Sequence, residues 1–315
     1  MRRAHSVQPA MTYDVVIAGG GPAGLAAALT LGRARKRVLL CDAGPRRNAA
    51  AVHMHNFVTR DGITPADFRR IGRQQLEPYR NVETREARIE DLRGGRGSFE
   101  VQLSTGSVQA RRILLATGMV DELPQIEGLG ALWGKSVFIC PYCHAWEVQD
   151  LRYAYLATNL EKLDFALLLR GWTSDVVVLT GGLLSLPLEM KARLNAGGVR
   201  VDERPIARLV AKANGLELEE VEFTDGSALE RDVLFLHPPQ HQIDIVRALG
   251  LALDAGGFVQ VDAMTRETSV PGIYAAGDLV MAMQGALLAA ASGTAAAGML
   301  NHALTVELAL EGLLD

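Results

Sequence analysis

Apolar residues fall along this chain in two kinds of run: short unbroken blocks, and longer stretches with helical spacing. Tyr13 to Ala18 (YDVVIA) and Arg37 to Cys41 (RVLLC) read as strands buried on both faces, with a helix from Pro22 to Arg33 between them. That order predicts a βαβ unit on a parallel sheet. Residues 43–62 follow as a polar loop rich in Ala, Asn and His. Thr64 to Tyr79 suits a helix, with Thr64 as N-cap and Pro65 at the first position, where its missing N–H is harmless. Ser98 to Ala110 predicts a hairpin, and Arg112 to Ala116 a strand ending in Thr117-Gly118. A second βαβ unit is predicted from Tyr153 to Thr180. Short alternating strands come near 199–223, then a buried strand from Val233 to Leu236 that His237-Pro238-Pro239 breaks. Ile273 to Ala276 is a last short strand, closed by Gly277-Asp278, and an Ala-rich helix begins after Gln284. The expected organisation is a first domain split into residues 1–118 and 242–315, with a second domain, 119–241, inserted into it.

The two βαβ units are copies of one another. Laying Val16 on Tyr155, an offset of 139 without gaps, puts Ala18 on Ala157, Ala27 on Ala166 and Val38 on Val177. The first copy carries Gly19, Gly21 and Gly24, with Pro22 and Ala23 before the last, in GxGxxG spacing between strand and helix. Gly19 permits a tight turn, Gly21 lets backbone approach a pyrophosphate, and Gly24 lets helix and strand pack closely; the helix N-terminus then faces the anion. Asp42, ahead of Ala43, ends the next strand, where a carboxylate accepts hydrogen bonds from a ribose. The plain alternative is a glycine turn with no ligand. In the second copy Gly19, Gly21 and Gly24 become Thr158, Leu160 and Leu163, and Asp42 becomes Gly181. No Arg or Lys precedes Lys191 after Thr180 to hold a 2′-phosphate. The expected fold class is α/β: two Rossmann-like three-layer domains, the second inserted into the first. Only the first keeps its dinucleotide chemistry, unless a shifted gap conceals a second site.

Composition narrows the function. The 315 residues are 49% hydrophobic and 22% charged, enough for two cores and unlike a disordered or fibrous chain. A net charge of -4 offers no basic surplus for nucleic acid. The start, MRRAHSVQPAM, is basic with no apolar stretch behind it, so Arg2-Arg3 is not an export signal; Met11 offers an alternative start behind an extension of residues 1–10. Gly285 to Leu304 is as long as a membrane span, yet it is rich in Ala and Gly, contains Asn301 and His302, and reads as a buried helix. The cysteines are three, Cys41, Cys140 and Cys143, which excludes a disulfide scaffold and points to a reducing cytoplasm. Cys41 sits in an apolar strand and reads as core. Cys140-Pro141-Tyr142-Cys143-His144 follows the run Val137 to Ile139, where a helix can start. A helix N-terminus stabilises a thiolate, and a two-residue spacer lets two thiols close a reactive disulfide. The same spelling serves c-type haem attachment, which needs export, and occurs in glutaredoxins, which are small thioredoxin folds. Zinc would need a second ligand pair, and no other CxxC exists. A redox dithiol fits best, and no metal is expected.

Taken together, Gly19-x-Gly21-x-x-Gly24, Ala116-Thr117-Gly118, CPYC between two βαβ units and Tyr274-Ala275-Ala276-Gly277-Asp278 resemble the low-molecular-weight thioredoxin reductases, from about residue 12 to 303. The resemblance implies FAD in the split domain and a homodimer. It implies Thr117 and Gly118 at the cofactor, Asp278 on the ribityl chain, and Gln284 beside the isoalloxazine, with Gly285 and Ala286 opening the last helix. The dipole of that helix favours the negative charge of reduced flavin. By the same likeness Cys143 is the flavin-facing thiol and Cys140 the exchanging one.

Two features depart from that pattern. The acid usual after the second cysteine is replaced by His144, and CPYCH followed by Trp146-Glu147 is similar to the dithiol oxidases that close disulfides in gliotoxin- and holomycin-type products. The second nucleotide motif is eroded. These imply a cytoplasmic oxidase of a small-molecule dithiol, passing electrons through CxxC and FAD to oxygen without NADPH. The alternative is a reductase of a thioredoxin-like protein fed by NADPH or ferredoxin. A third reading is a non-catalytic flavoprotein that binds a partner at the vacated site. His144 is placed to shuttle the proton, since an unperturbed pKa near 6.5 suits that task. His53, His55 and Asn56 resemble a His-rich segment the subgroup carries near the flavin; metal ligation by the two histidines competes. Arg46, Arg47 and Asn48 touch the adenosine side of FAD or lie in a solvated loop. His237 and His241 fill turn positions near the hinge, and Trp146 lines a substrate pocket or packs the inserted domain.

Overall fold

A computed structural model describes residues 12–44 and 46–314; the expected extension at 1–10 and the start at Met11 lie outside the described residues. The chain divides into two compact units. Of the described residues, one comprises those up to Arg47, Ala66–Val120 and those from Gln240 onward; the other comprises Asn48–Pro65 and Asp121–Pro239. The segment Asn48–Pro65, expected with the first, groups with the second. His55 there meets Glu147, and Gly134 lies so close that a Cβ on it would stand 2.9 Å from the Ala50 Cβ.

In the first unit the parallel strands lie in the order Val82–Arg85, Val38–Cys41, Thr12–Ala18, Gly106–Leu115, Ile273–Ala275. The strand Gly106–Leu115 is longer than expected and has two lives. Its first half pairs antiparallel with Ser98–Leu103, which pairs in turn with Ile89–Gly95; its second half runs parallel to Ile273–Ala275. Burial changes along it from alternating to continuous, matching a hairpin arm with one wet face that enters a sheet covered on both sides. The second arm of the predicted hairpin and the predicted strand are therefore one element. The helix Pro22–Arg33 crosses the final helix Ala286–Leu310 at Gly293, where a Cβ would come 2.1 Å from the Ala23 carbonyl oxygen. Arg112 is fully buried and donates to Glu307 on that final helix at 2.5 Å. Among the described residues no helix is long and apolar enough to cross a membrane.

In the second unit five parallel strands lie in the order Val199–Asp202, Val176–Leu179, Tyr153–Leu156, Val233–Leu236, Val137–Phe138. Alternate side chains of these strands feed two cores. Tyr153, Tyr155 and Val178 pack with Leu163, Ala166 and Leu169 on the helix side. Ala154, Leu156 and Val177 pack with Leu209, Val221 and Phe223 of a three-stranded antiparallel layer, Ile206–Ala211, Leu218–Phe223 and Ala228–Glu230. Each unit is thus layered around its own parallel sheet.

Hydrogen-bond register fixes the relation between the two copies. Val15 pairs with Val38 in the first, and Ala154 pairs with Val177 in the second, a span of 23 residues in both. The offset of 139 carries each member of the first pair onto its counterpart in the second, so no gap separates the copies between these strands.

Candidate functional site

The turn after Thr12–Ala18 is built from glycine because nothing else fits. Gly19 has φ +106°, and a Cβ there would stand 2.4 Å from the Ala116 carbonyl oxygen. A Cβ on Gly24 would be only 1.8 Å from the Gly19 carbonyl oxygen. A Cβ on Gly21, by contrast, meets nothing within 4 Å, so its backbone is open to a ligand. Pro22 opens the helix at that point and Ala23 is buried behind it. Thr117 and Gly118 flank the turn, with the Thr117 Cα 3.2 Å from where a Gly19 Cβ would sit and Gly118 at φ +65°. Bare glycine backbone at a helix start is what a pyrophosphate needs.

Asp42 lies beside this turn and accepts from the Gly20 N–H at 3.2 Å. Arg69 and Arg73, one turn apart on the helix Pro65–Leu76, both bond its carboxylate, Arg73 at 2.9 Å. Ala43 is exposed next to it. In the same unit, Arg47 bridges two predicted residues, donating to Asp278 Oδ2 at 2.9 Å and Gln284 Oε1 at 2.5 Å. Gln284 also donates to Gln240 Oε1 at 2.9 Å. Gly277, at φ +77°, packs on Ala23 and donates its N–H to Ser292 Oγ at 3.1 Å. Gly285 precedes the final helix, which starts at Ala286. These residues fit FAD: an open glycine turn, an acid at the ribose position, and a polar cluster at Asp278 and Gln284. Sequence reasoning missed Arg69, Arg73 and Gln240. The arginines sit four apart on an amphipathic helix and look there like a solvated face.

The second copy cannot form the same turn. Leu163 stands where Gly24 stands, and in the first copy that position tolerates no Cβ at all. The chain responds by delaying its helix. The offset predicts a start at Glu161, but the helix runs only Asp164–Leu169, with Leu163 buried ahead of it. The strand order reverses between Tyr153–Leu156 and Val233–Leu236, the switch point where open α/β sheets bind ligands. There His237 sits edge-on to Phe165 at 4.3 Å between centroids, with Tyr155 Oη 3.4 Å from its Nδ1. Thr158, the Gly19 counterpart, donates to the His237 carbonyl at 3.2 Å. Burial, reinforced by the charge of Lys162, pushes the His237 pKa down to about 4, so the ring is neutral. His237 therefore does more than fill a turn. The cations downstream are also engaged: Lys191 with Glu203, Arg193 with Asp164 at 2.6 Å and Arg204 with Asp202 at 2.5 Å.

Cys140 and Cys143 are joined as a disulfide with their Cα atoms 5.3 Å apart. A single helical turn, Pro141–His144, follows Cys140, and the Cys143 N–H bonds the Cys140 carbonyl at 3.3 Å. Cys41 is a free thiol, buried, and burial pushes it up to about 12, as a core residue. The His144 ring stacks on Phe138 at 4.3 Å and 11°. Both its nitrogens are buried without a hydrogen bond. Burial pushes its pKa down to about 4; the Cys140 backbone opposes that shift from outside good hydrogen-bonding geometry, and the charge of His55 adds to it. The expectation of an unperturbed His144 is thus corrected: beside the closed disulfide it is a neutral, desolvated ring. His55 Nδ1 lies 3.4 Å from Glu147 and 3.6 Å from Asp61, and the Asn56 N–H bonds Asp61 at 2.7 Å. His55, Asn56 and the exposed Asn48 thus belong to the unit that carries the disulfide. His53 is exposed, with its ring 6.1 Å from that of His55. Trp146 is 70% exposed and so does not pack this unit's core.

A glycine cradle in one unit and a dithiol pair in the other define a flavin-type disulfide oxidoreductase, and the chain belongs to the pyridine nucleotide-disulphide oxidoreductase family, whose pattern matches residues 13–295. Within it the chain is of thioredoxin reductase type. It is 32% identical over 311 residues to thioredoxin reductase tcpT of Claviceps purpurea, covering 94% of this chain and 95% of that protein. It is 32% identical over 300 residues to thioredoxin reductase aclD of Aspergillus oryzae, covering 90% and 94%. The crystal structure of HlmI superposes with a TM-score of 0.89 at 37% identity, covering 96% of this chain and 95% of that one.

Proposed function

We propose that the protein is a dithiol oxidase that closes a disulfide in a small-molecule substrate without using NADPH. One observation carries this reading: two register-matched copies of a nucleotide-binding unit, of which one keeps bare glycine at the helix start, where a Cβ on Gly24 would not fit, and the other has Leu163 at the equivalent position and starts its helix later. A substrate thiolate attacks the Cys140 sulfur, breaks the Cys140–Cys143 bond and releases Cys143 as a thiolate. The second substrate thiol then attacks the mixed disulfide, leaving as a closed disulfide and freeing Cys140. Two electrons and two protons pass from substrate to the cysteine pair. A thiolate forming at Cys143 raises the proton affinity of the adjacent His144 ring, so His144 accepts a proton once the disulfide opens rather than before.

Gly19, Gly21, Pro22, Ala23, Gly24, Asp42, Thr117, Gly118, Gly277, Asp278 and Gln284 would hold FAD. The chemistry that bound FAD supplies is two-electron acceptance from the cysteine pair and delivery of those electrons to oxygen. Arg47 holds Asp278 and Gln284 in place for that ligand. The reading places the enzyme in a reducing cytoplasm as a homodimer. Aerobic incubation with dithiothreitol tests it. One hydrogen peroxide per disulfide formed is expected, and none from Cys143→Ser; dithiol oxidation without peroxide would contradict it. The second reading, a reductase of a thioredoxin-like partner fed by NADPH or ferredoxin, is favoured by the names the fungal relatives carry.

A further inference from the structure

We infer that Tyr142 and Trp146 form an aromatic shelf beside the disulfide that selects dithiols carrying a planar, uncharged ring. This rests on the dithiol-exchange reading above and names its substrate class. The CPYCH turn has two unlike faces. Pro141 and Ala145 point inward and are buried, and the Ala145 N–H bonds the Pro141 carbonyl at 2.7 Å, so the helical path continues past His144. Residues four apart on such a path share a face. Tyr142 and Trp146 are four apart, on the outward face, and are 54% and 70% exposed. Tyr142 sits inside the redox motif, between the two cysteines, and Trp146 follows Cys143 by three residues. A tryptophan this bare is unusual for a residue with so much apolar area.

The Tyr142 ring is held in position. Trp172 stands against it at 5.6 Å and 81°, an edge-to-face contact, and the Trp172 carbonyl is fixed by the Asp150 N–H at 2.9 Å. The shelf is therefore one braced ring and one open one. Charge narrows its occupant. Glu147, 41% exposed, follows Trp146 directly, and the exposed Asp150 lies beside Trp172. Carboxylates at this rim disfavour an anionic thiol of the glutathione kind and leave a neutral ring as the ligand the rings attract. The substrate stacks on the shelf while one of its thiols meets the half-buried cysteine pair.

The test compares a ring-bearing dithiol, 1,2-benzenedimethanethiol, with the linear dithiothreitol on FAD-loaded protein. The readout is the ratio of kcat/KM for the two, with KM and kcat resolved. Trp146→Ala is expected to lower that ratio by about 3- to 10-fold, through KM for the ring-bearing dithiol, the range that one aromatic contact supplies. Trp146→Phe restores most of it, and Tyr142→Ala lowers it in the same direction. Flavin absorbance per chain checks that each variant is folded and loaded. Equal losses on both dithiols, or no change in the ratio, overturn the proposal while leaving dithiol oxidation standing. A variant that loses oxidation of a reduced thioredoxin-fold protein but keeps the small-dithiol ratio overturns it in favour of a protein partner. Wild-type protein that oxidises neither dithiol removes the exchange reading and the shelf with it.

Discussion

Gly24→Ala is the perturbation that most sharply tests the geometry on which the two cradles are distinguished. The added Cβ would stand 1.8 Å from the Gly19 carbonyl oxygen, whereas real Cβ atoms essentially never come within 3.0 Å of a neighbour. The obstacle is backbone, so it cannot swing aside like a side chain. Turn and helix must part by more than an ångström, or the helix must start later, as it does behind Leu163. Forcing atoms into a packed site costs about 1–3 kcal/mol. If that strain falls on the ligand-bound turn it weakens FAD binding by about 5- to 150-fold. The assay is flavin absorbance per chain after gel filtration, with a dissociation constant from quenching of free FAD fluorescence. Full retention of FAD with unchanged thermal stability would refute the argument, and with it the claim that a leucine at the equivalent place abolishes the second cradle.

Glu307→Ala leaves the fully buried Arg112 without its carboxylate and should cost about 3 kcal/mol, read from guanidinium unfolding at pH 7; an unchanged midpoint would remove the ion pair as a tie between strand and final helix. His144 is held near pKa 4 in the folded protein, against about 6.5 for an unperturbed ring. The unfolded chain therefore takes up a proton as pH falls below about 6.5 while the folded ring does not until about 4, so stability drops across that window. The share from His144 is about 2 kcal/mol between pH 8 and pH 5, and His144→Phe should flatten that part of the fall. A slope identical in the variant would show that the folded ring titrates as it does in the unfolded chain. Cys143→Ser should keep its FAD and lose dithiol oxidation to background; retained turnover would place the redox chemistry elsewhere.

Much of this architecture is legible in the amino-acid sequence. The buried strands at Tyr13 to Ala18 and Val233 to Leu236 announce themselves because parallel strands covered on both faces are apolar throughout. The offset of 139 survived as a hydrogen-bonded register because strand pairing cannot slip without moving core residues. What stayed hidden depended on partners distant in sequence. Arg69 and Arg73 find Asp42 across 27 and 31 residues, and Arg47 finds Asp278 across 231. His237 gains its place from Tyr155 and Phe165, which no local pattern announces. Gly106–Leu115 reads as two elements in the sequence because its burial changes midway, and a change of hydrophobic pattern looks like a boundary.

The central claim is that electrons reach this flavin from thiols and not from a pyridine nucleotide. Anaerobic titration of the FAD-loaded protein, with NADPH, NADH and dithiothreitol in parallel and flavin absorbance followed near 450 nm, measures it directly. The account predicts bleaching by the dithiol and none by either nucleotide. Prompt, stoichiometric bleaching by NADPH would contradict it.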